Sequence, residues 1–124
     1  MRLNQLTIPS LDLEKSVAFY IKLGMQLIVD ALPRYVRFEL PDGEATFSIH
    51  LVEKLPTGDG ITIYFEDDNL DALVKQLQAK GISFTQLPVD QRWLWREAHV
   101  LDPDGNKIIL FFGGDTRKNP PWRI

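Results

Sequence analysis

The order of predicted elements repeats along this chain, and this repeat restricts the possible folds more than any other feature. Leu6-Thr7-Ile8 in the first half corresponds to Ile61-Thr62-Ile63 in the second. Pro41-Asp42-Gly43 corresponds to Pro103-Asp104-Gly105 in the same way, and a turn-rich linker over 55–60 separates the halves. The chain is therefore predicted to fold as two similar modules. The alternative is an α+β sandwich whose halves are alike by chance.

Residue spacing predicts a strand, a helix and three further strands in the first half. The strand over 3–9 is followed by a helix that Ser10 or Asp12 caps and that Gly24 ends. The predicted apolar face of this helix comprises Leu13, Val17, Tyr20 and Ile21. Further strands are predicted over 25–30, 35–40 and 45–52. In the last of these, alternation separates Phe47, Ile49 and Leu51 from Thr46, Ser48 and His50.

The second half repeats this order. A strand over 61–65 precedes a helix over 67–80, which Gly81 ends. The residues of this helix predicted to face inward are Leu70, Leu73, Val74 and Leu77. Strands are predicted over 82–86, 93–101 and 107–112, with a turn at Asp102-Pro103-Asp104-Gly105. Because one helix covers only one face of a sheet, the partner half or a ligand must cover the other face.

Composition bounds the classes of protein to which this chain can belong. A length of 124 residues suits one domain. The net charge of −3, with both signs interspersed and no basic run, disfavours a nucleic-acid partner. The absence of cysteine excludes disulfides, thiolate metal sites and a cysteine nucleophile. No apolar run approaches the roughly 20 residues that span a bilayer, and the first residues lack a signal-peptide core, so no membrane association and a cytoplasmic location are expected.

Two segments resemble the vicinal oxygen chelate superfamily of glyoxalases, bleomycin-resistance proteins and dioxygenases. They are Asp12-Leu13-Glu14-Lys15-Ser16-Val17-Ala18-Phe19-Tyr20 with Leu23-Gly24-Met25, and Asp102-Pro103-Asp104-Gly105-Asn106. The resemblance implies an α+β fold of two βαβββ modules, which form paired, curved mixed sheets with one helix each. It also implies a single domain over 1–124, with module one at about 1–54, module two at about 60–113 and a tail over 114–124. Both segments identify the fold, and a fold does not fix the function.

Members of this superfamily that use a metal bind a divalent ion between the modules, through the first and last strands of each half. The resemblance places these positions at Gln5, Ser48, Gly60 and Ile109, with His50 two residues beyond Ser48. Only Gln5 is acceptable as it stands, because glycine has no side chain and isoleucine has no donor atom. A divalent ion needs three or more nitrogen or oxygen ligands in defined geometry. We therefore expect no metal and no other cofactor, which removes the Lewis-acid chemistry that the superfamily shares.

The segment from Trp93 to His99 is the most unusual part of the sequence. At a period of two, Trp93, Trp95, Glu97 and His99 share one strand face, and the other, helix-packing face takes Leu94, Ala98 and Val100. One interpretation is that the tryptophans fill the core or a dimer interface. The other is an aromatic wall with one carboxylate, which suits a planar or cationic ligand. Because an unpaired buried carboxylate is costly, Glu97 is expected to face a wet ligand cavity beside Trp95. His99, just before the turn, is expected to be exposed to solvent.

The predicted ligand pocket also includes Gln5, Ser48, His50, Thr62 and Tyr64. Thr62 and Tyr64 share a strand face with Gly60, where the missing side chain leaves space. The plainer interpretation is that His50 is a surface histidine and that Ser48 and Thr62 are ordinary strand residues. No catalytic residue is assigned, since the sequence contains no Ser-His-Asp order, Walker loop or GxGxxG motif.

These features favour a metal-free protein that binds a small molecule in an apolar cavity with a few polar groups. One alternative is a metal-dependent enzyme of glyoxalase or dioxygenase type, with ligands outside the usual positions. The other is a dimeric protein without a specific ligand. A homodimer is expected in any case, because the tail carries Trp122 and each half leaves strand edges uncovered.

Overall fold

The computed structural model describes all 124 residues and contains two four-stranded sheets. Along the chain the elements are β1 (Gln5–Ser10), α1 (Leu13–Lys22), β2 (Gln26–Ala31), β3 (Tyr35–Glu39), β4 (Thr46–Leu51), β5 (Thr62–Glu66), α2 (Leu70–Ala79), β6 (Gln86–Asp90), β7 (Arg96–Leu101) and β8 (Lys107–Phe112). A 3₁₀ turn over Gly114–Arg117 follows β8. The order βαβββ therefore occurs twice, which confirms the predicted repeat.

The chain divides into two compact units, Met1–Gly60 (unit 1) and Ile61–Ile124 (unit 2). The sheet of unit 1 has the order β1-β4-β3-β2, and that of unit 2 has the order β5-β8-β7-β6. In each sheet the first strand pairs in parallel with the last, and the remaining pairs are antiparallel. Both sheets are therefore mixed, and their topologies are the same. Neither helix is long and apolar enough to cross a membrane.

Helix α1 begins where Asp12 caps it, since the Asp12 carboxylate accepts a hydrogen bond of 3.2 Å from the backbone N–H of Lys15. After the helix, Gly24 adopts a φ of +106°, the left-handed conformation that glycine tolerates best. The buried face of the helix comprises Leu13, Ser16 and Tyr20. The prediction that Ile21 belongs to this face is wrong. One residue turns the helix by about 100°, and Ile21 is 48% exposed.

The core of unit 1 lies between α1 and its sheet and is rich in aromatic rings. Its strand residues include Ile8, Val36, Phe38, Phe47 and Ile49. Tyr20 of α1 lies 4.8 Å from Phe47 and 6.1 Å from Phe38, measured between ring centroids. Leu51 shares the face of Phe47 and Ile49 as predicted, but it is exposed because it is the last residue of β4.

The core of unit 2 is mainly aliphatic. Helix α2 buries Leu70, Val74 and Leu77, whereas Leu73 is only half-buried. The buried strand residues on the same side are Ile63, Ala98, Val100, Ile108 and Leu110. Arg96 marks this side of the sheet, since its guanidinium Nε donates a hydrogen bond of 2.8 Å to Asp71 of α2. That hydrogen bond lowers the pKa of the Asp71 carboxyl below its ordinary value.

Two strands of unit 2 differ from the predictions. The predicted strand over 82–86 is instead a connection, and β6 covers Gln86–Asp90. Ile82 directly follows α2, where its N–H bonds to the Leu77 carbonyl at 3.0 Å, and its side chain is buried. This apolar residue therefore packs at the end of a helix and does not belong to a strand.

The predicted strand over 93–101 begins only at Arg96. A turn precedes it, in which the Gln91 N–H donates to the Trp95 carbonyl at 2.7 Å. Leu94 lies in this turn with a φ of +69° and is the one non-glycine residue with positive φ. Strand alternation therefore does not extend back to Trp93 and Leu94, which the prediction placed on opposite strand faces.

Candidate functional site

The face of each sheet that its helix leaves uncovered is called here the helix-free face. In unit 1 this face carries a cluster of hydrogen-bonded polar side chains around Ser48, which is 0% exposed. The register of β1 and β3 on either side of β4 places Thr7 and Arg37 beside Ser48. The Ser48 and Thr7 hydroxyls are 2.6 Å apart, and Gln5 Nε2 donates to Ser48 Oγ at 3.3 Å. Two of the predicted site residues, Gln5 and Ser48, are thus joined directly.

Tyr35 and Arg37 extend this polar cluster on β3. Arg37 Nε donates to the Tyr35 phenolic oxygen at 3.0 Å. The Ser48 hydroxyl and the Arg37 guanidinium, both of which hydrogen-bond to the phenolate form, lower the pKa of Tyr35 below its ordinary value of 10.0. Burial opposes this effect. Neither residue was predicted as part of the site, although β-strand parity places both on the face of Ser48.

His50 lies on the same face, at the position paired with Tyr35. Its side chain is exposed and makes no hydrogen bond to another residue. The structure therefore places His50 beside the polar cluster but does not connect it to Ser48.

The residues at the superfamily's metal positions do not form a set of metal ligands. The Gln5 amide is engaged by Ser48 and by the Thr46 hydroxyl, which donates to Gln5 Oε1 at 2.9 Å. In unit 2 the position on β8 is Ile109, which is 8% exposed and offers no donor atom. No group of three or more His, Cys, Asp or Glu residues is arranged to hold a metal ion. The donor set present does not fit a divalent ion, which needs three or more such ligands.

The helix-free face of unit 2 carries aromatic rings in place of the polar cluster. Trp95 stacks on Phe111 with ring centroids 4.5 Å apart. Tyr64 meets both rings edge-on, at 5.8 Å from Trp95 and 5.6 Å from Phe111. Gly113 lies against this cluster, since a Cβ there would come within 3.0 Å of the Trp95 indole nitrogen. The Glu66 carboxylate holds the chain at this point by accepting from the Gly113 N–H at 2.9 Å.

A buried carboxylate lies next to the aromatic cluster. Glu97 is 1% exposed, and its two oxygens accept hydrogen bonds from different rings. Trp93 Nε1 donates to Oε2 at 2.7 Å, and His99 Nε2 lies 2.9 Å from Oε1. Burial and the negative charge of Glu97 both raise the pKa of Tyr64 above its ordinary value of 10.0. The expectation that Glu97 needs a wet cavity because it has no partner is therefore wrong.

An open pocket of about 350 Å³ lies at the end of this sheet. It is lined by Thr62, Tyr64, Thr85, His99, Val100, Leu101, Lys107, Ile108 and Ile109. Two predicted site residues, Thr62 and Tyr64, belong to this lining. Glu97 and Trp95 do not belong to it, but they contact His99 and Tyr64, which do.

His99 was expected to be exposed to solvent, and the structure exposes it only in part. Its side chain is 34% exposed and is tied to Glu97. The alternation from Glu97 to His99 was visible in the sequence, but the position next to the turn suggested exposure. Trp93 is brought to Glu97 by the turn before β7 and not by strand alternation.

The family model of the glyoxalase/bleomycin resistance protein/dioxygenase superfamily matches residues 2–110. This chain belongs to that superfamily. No curated protein sequence is significantly similar to it.

Solved structures of the superfamily share the fold over nearly the whole chain. A glyoxalase/bleomycin resistance protein/dioxygenase from Nocardioides is 25% identical with a TM-score of 0.79, over 100% of this chain and 89% of that one. The bleomycin resistance determinant encoded on the transposon Tn5 is 20% identical with a TM-score of 0.77, over 92% and 99% of the two chains. A bleomycin-binding protein complexed with bleomycin is 21% identical with a TM-score of 0.72, over 90% and 98%. At these identities the two bleomycin-related structures establish a shared fold and no shared ligand.

Proposed function

We propose that this chain binds a small organic molecule on its helix-free faces without a divalent metal ion. The observation that carries this proposal is the open pocket of unit 2, which combines apolar walls such as Ile109 with polar groups such as Thr62 and His99. Ligand sites are typically concave and mostly apolar, with a few polar groups that fix orientation. The aromatic cluster of Trp95, Phe111 and Tyr64 lies next to this pocket and offers a stacking surface.

The proteins that share the fold make small-molecule binding a reasonable role. One of them is described as a bleomycin-binding protein in complex with bleomycin. We carry over from it only the class of function, because a fold hosts many ligands. As ligand-binding residues we propose Gln5, Ser48, His50, Tyr35 and Arg37 on the helix-free face of unit 1, and Thr62, Tyr64, Trp93, Trp95, Glu97 and His99 in or beside the pocket of unit 2. That the two units form one domain also remains a prediction.

The absence of a metal requirement is supported by the residues at the superfamily's ligand positions. Ile109 has no donor atom, Gly60 has no side chain, and the Gln5 amide is hydrogen-bonded within unit 1. Elemental analysis of the purified protein after dialysis tests this directly. We expect far less than one Zn, Ni, Fe or Mn per chain, and about one ion per chain would contradict the proposal.

Occupation of the pocket is tested with a substitution that fills it. Thr62 is exposed on the edge strand β5 and lines the pocket, so Thr62→Trp should close it without disturbing the core. Thr57→Trp in the exposed linker is the matched control. In ligand-observed NMR with a library of small aromatic compounds, the Thr62→Trp variant should lose the binding that the wild type and the control show. Equal binding by all three proteins would contradict the assignment of the pocket.

Exposed apolar side chains support a proposal about self-association. Trp122 is 57% exposed, and the edge strand β6 exposes Leu87 and Val89 to 52% and 48%. We propose that such surfaces pair two copies of the chain, because exposed edge strands and apolar patches favour association. Sedimentation at high micromolar concentration should report a dimer, and a monomer would contradict it. A cytoplasmic location and the absence of a nucleic-acid partner stay predictions from the sequence.

A further inference from the structure

Two energetically unfavourable features of unit 2 are associated with the Glu97 carboxylate: its burial and the backbone conformation of Leu94. Glu97 is buried, and removing a carboxylate from water costs several kcal/mol unless hydrogen bonds replace the lost water. Leu94 has a φ of +69°, a conformation that is unfavourable in a residue other than glycine. The turn that contains Leu94 brings Trp93 to its hydrogen bond with Glu97. The position of the Glu97 carboxylate therefore depends on both features.

The hydrogen bond between Glu97 and His99 fixes the protonation pattern of the imidazole. An ionised carboxylate only accepts hydrogen bonds, so His99 Nε2 carries the hydrogen at the 2.9 Å contact with Oε1. In the neutral ring Nδ1 then bears a lone pair. No protein atom hydrogen-bonds to Nδ1, and the ring lines the open pocket. A carboxylate that bonds one ring nitrogen orients the other for proton transfer.

We propose that His99 is a general base for a ligand bound in this pocket and that Glu97 is its positioning residue. In the proposed step a hydrogen on a carbon or oxygen of the ligand moves to Nδ1 as a proton, and its electron pair stays on the ligand. The positive charge that forms on the ring is stabilised by the Glu97 carboxylate. The proton then leaves to water or returns to the ligand, so the step needs no oxidant, metal or second substrate.

The walls of the pocket indicate the class of molecule that His99 would meet. Tyr64 and Ile109 present an aromatic ring and an aliphatic side chain to the same space, and Lys107 adds a single cationic group to the lining. A flat, largely apolar acid therefore fits better than a highly charged one. This inference rests on the proposed function, because it requires that the pocket of unit 2 admits a small molecule.

The first test reads the tautomer of His99 by long-range ¹H–¹⁵N NMR on protein labelled with ¹⁵N-histidine. The chain has only two histidines, so His50 serves as an internal reference in the same spectrum. Near neutral pH, the wild type should show His99 with its hydrogen on Nε2. In Glu97→Gln the amide NH₂ can donate to Nε2, which should move the hydrogen to Nδ1 while the His50 signals stay unchanged. An Nδ1–H tautomer in the wild type would overturn the proposed geometry.

The second test uses 5-nitrobenzisoxazole, a flat carbon acid, as the probe. A base that removes its C3 proton forms the C≡N bond, breaks the N–O bond and releases a coloured phenolate. The wild type should release phenolate on the order of 10²-fold faster than free imidazole at equal concentration and pH. His99→Gln should abolish this excess. Glu97→Gln should lower kcat at least tenfold with little change in KM, whereas the exposed control Glu44→Gln should match the wild type.

This experiment separates a failure of the general-base proposal from a failure of the proposed binding function. Saturable binding of the probe in NMR, without turnover above free imidazole, would overturn the general-base proposal and leave small-molecule binding intact. Turnover that survives His99→Gln would also overturn it. No binding of the probe or of any library compound at the pocket would contradict the proposed function itself. Circular dichroism of each variant separates a loss of chemistry from a loss of folding.

Discussion

The two units have the same topology but differ in where their main clusters of aromatic rings lie. In unit 1 the rings of Tyr20, Phe38 and Phe47 lie between helix and sheet and are at most 2% exposed. In unit 2 that layer is mainly aliphatic, and the cluster of Trp95, Phe111 and Tyr64 lies on the helix-free face. The helix-free face of unit 1 instead carries hydroxyl, amide and guanidinium groups around Ser48.

This difference indicates that the same fold uses its aromatic rings differently in the two units. Rings between helix and sheet are buried permanently and contribute to stability. Rings on a helix-free face are not required by the core beneath them, because the aliphatic residues of unit 2 already fill it. The helix-free face of unit 1 thus offers hydrogen-bonding groups, and that of unit 2 offers ring surface and the His99 imidazole. The following predictions test this difference between the faces.

The largest expected effect is on stability, and it should differ between the aromatic clusters. Phe47→Ala removes a ring that is 2% exposed, so the free energy of unfolding should fall by about 3–5 kcal/mol. Trp95→Ala removes a half-buried ring and should cost about 2 kcal/mol, part of it from lost ring contacts. Urea unfolding followed by circular dichroism measures both. A greater loss for Trp95→Ala would contradict the assignment of the clusters.

Removal of the hydrogen-bonding centre of each helix-free face should give the next largest effects. Glu97→Ala deprives Trp93 and His99 of a charged partner and should cost about 3 kcal/mol. Ser48→Ala breaks only bonds between neutral groups and should cost about 1 kcal/mol. The same unfolding experiment ranks the two. Equal costs would mean that the Glu97 carboxylate is not held as a buried charge.

Two of the three tyrosines, Tyr35 and Tyr64, should titrate on opposite sides of the ordinary value of 10.0. The lowered pKa of Tyr35 means that its contribution to stability is present above 10.0 and is lost as pH falls through its folded pKa. The raised pKa of Tyr64 means that its contribution is present below 10.0 and is lost as pH rises through its folded pKa. The tyrosinate absorbance that Tyr35→Phe removes should therefore titrate below pH 10.0, and the absorbance that Tyr64→Phe removes should titrate above it. The reverse order would contradict the electrostatics of both faces.

The smallest expected effect concerns the support of the aromatic cluster. Gly113 has a φ of −115°, which alanine accepts, but an added Cβ would come within 3.0–3.2 Å of Trp95 and Phe111. Gly113→Ala should therefore shift the Trp95 ring by a few tenths of an ångström and cost less than 1 kcal/mol. A change in tryptophan fluorescence with a nearly unchanged unfolding midpoint would support this. An unaltered emission spectrum would show that Gly113 does not contact the cluster.

Most of the fold was predictable from the sequence, because the signals that define it are local. The Asp12 cap and the turn before β8 each depend on neighbouring residues, and the repeat shows the same local signals in both halves of the chain. The failures lie where tertiary packing overrides local pattern. Ile82 lies at the end of α2 and does not start a strand, and Trp93 lies in a turn and not in a strand.

The site was less predictable than the fold. The resemblance to the superfamily grouped Gln5 with Ser48, and the two side chains are hydrogen-bonded in the structure. Strand parity did not reveal that Glu97 is satisfied by Trp93 and His99, because that contact depends on the backbone conformation at Leu94. The inclusion of Tyr35 and Arg37 follows from the register between β3 and β4, which the sequence does not encode locally.

A crystallographic fragment screen on crystals grown with Zn²⁺ and Mn²⁺ tests the central claim most directly. Fragment density reports the ligand site, and anomalous scattering reports any bound metal in the same crystals. The account predicts fragments in the pocket of unit 2 against Tyr64, His99 and Ile109, with no anomalous peak beside Gln5, Ser48 or Ile109. An ordered Zn²⁺ or Mn²⁺ coordinated by Gln5 or Ser48, or fragments that consistently avoid this pocket, would contradict it.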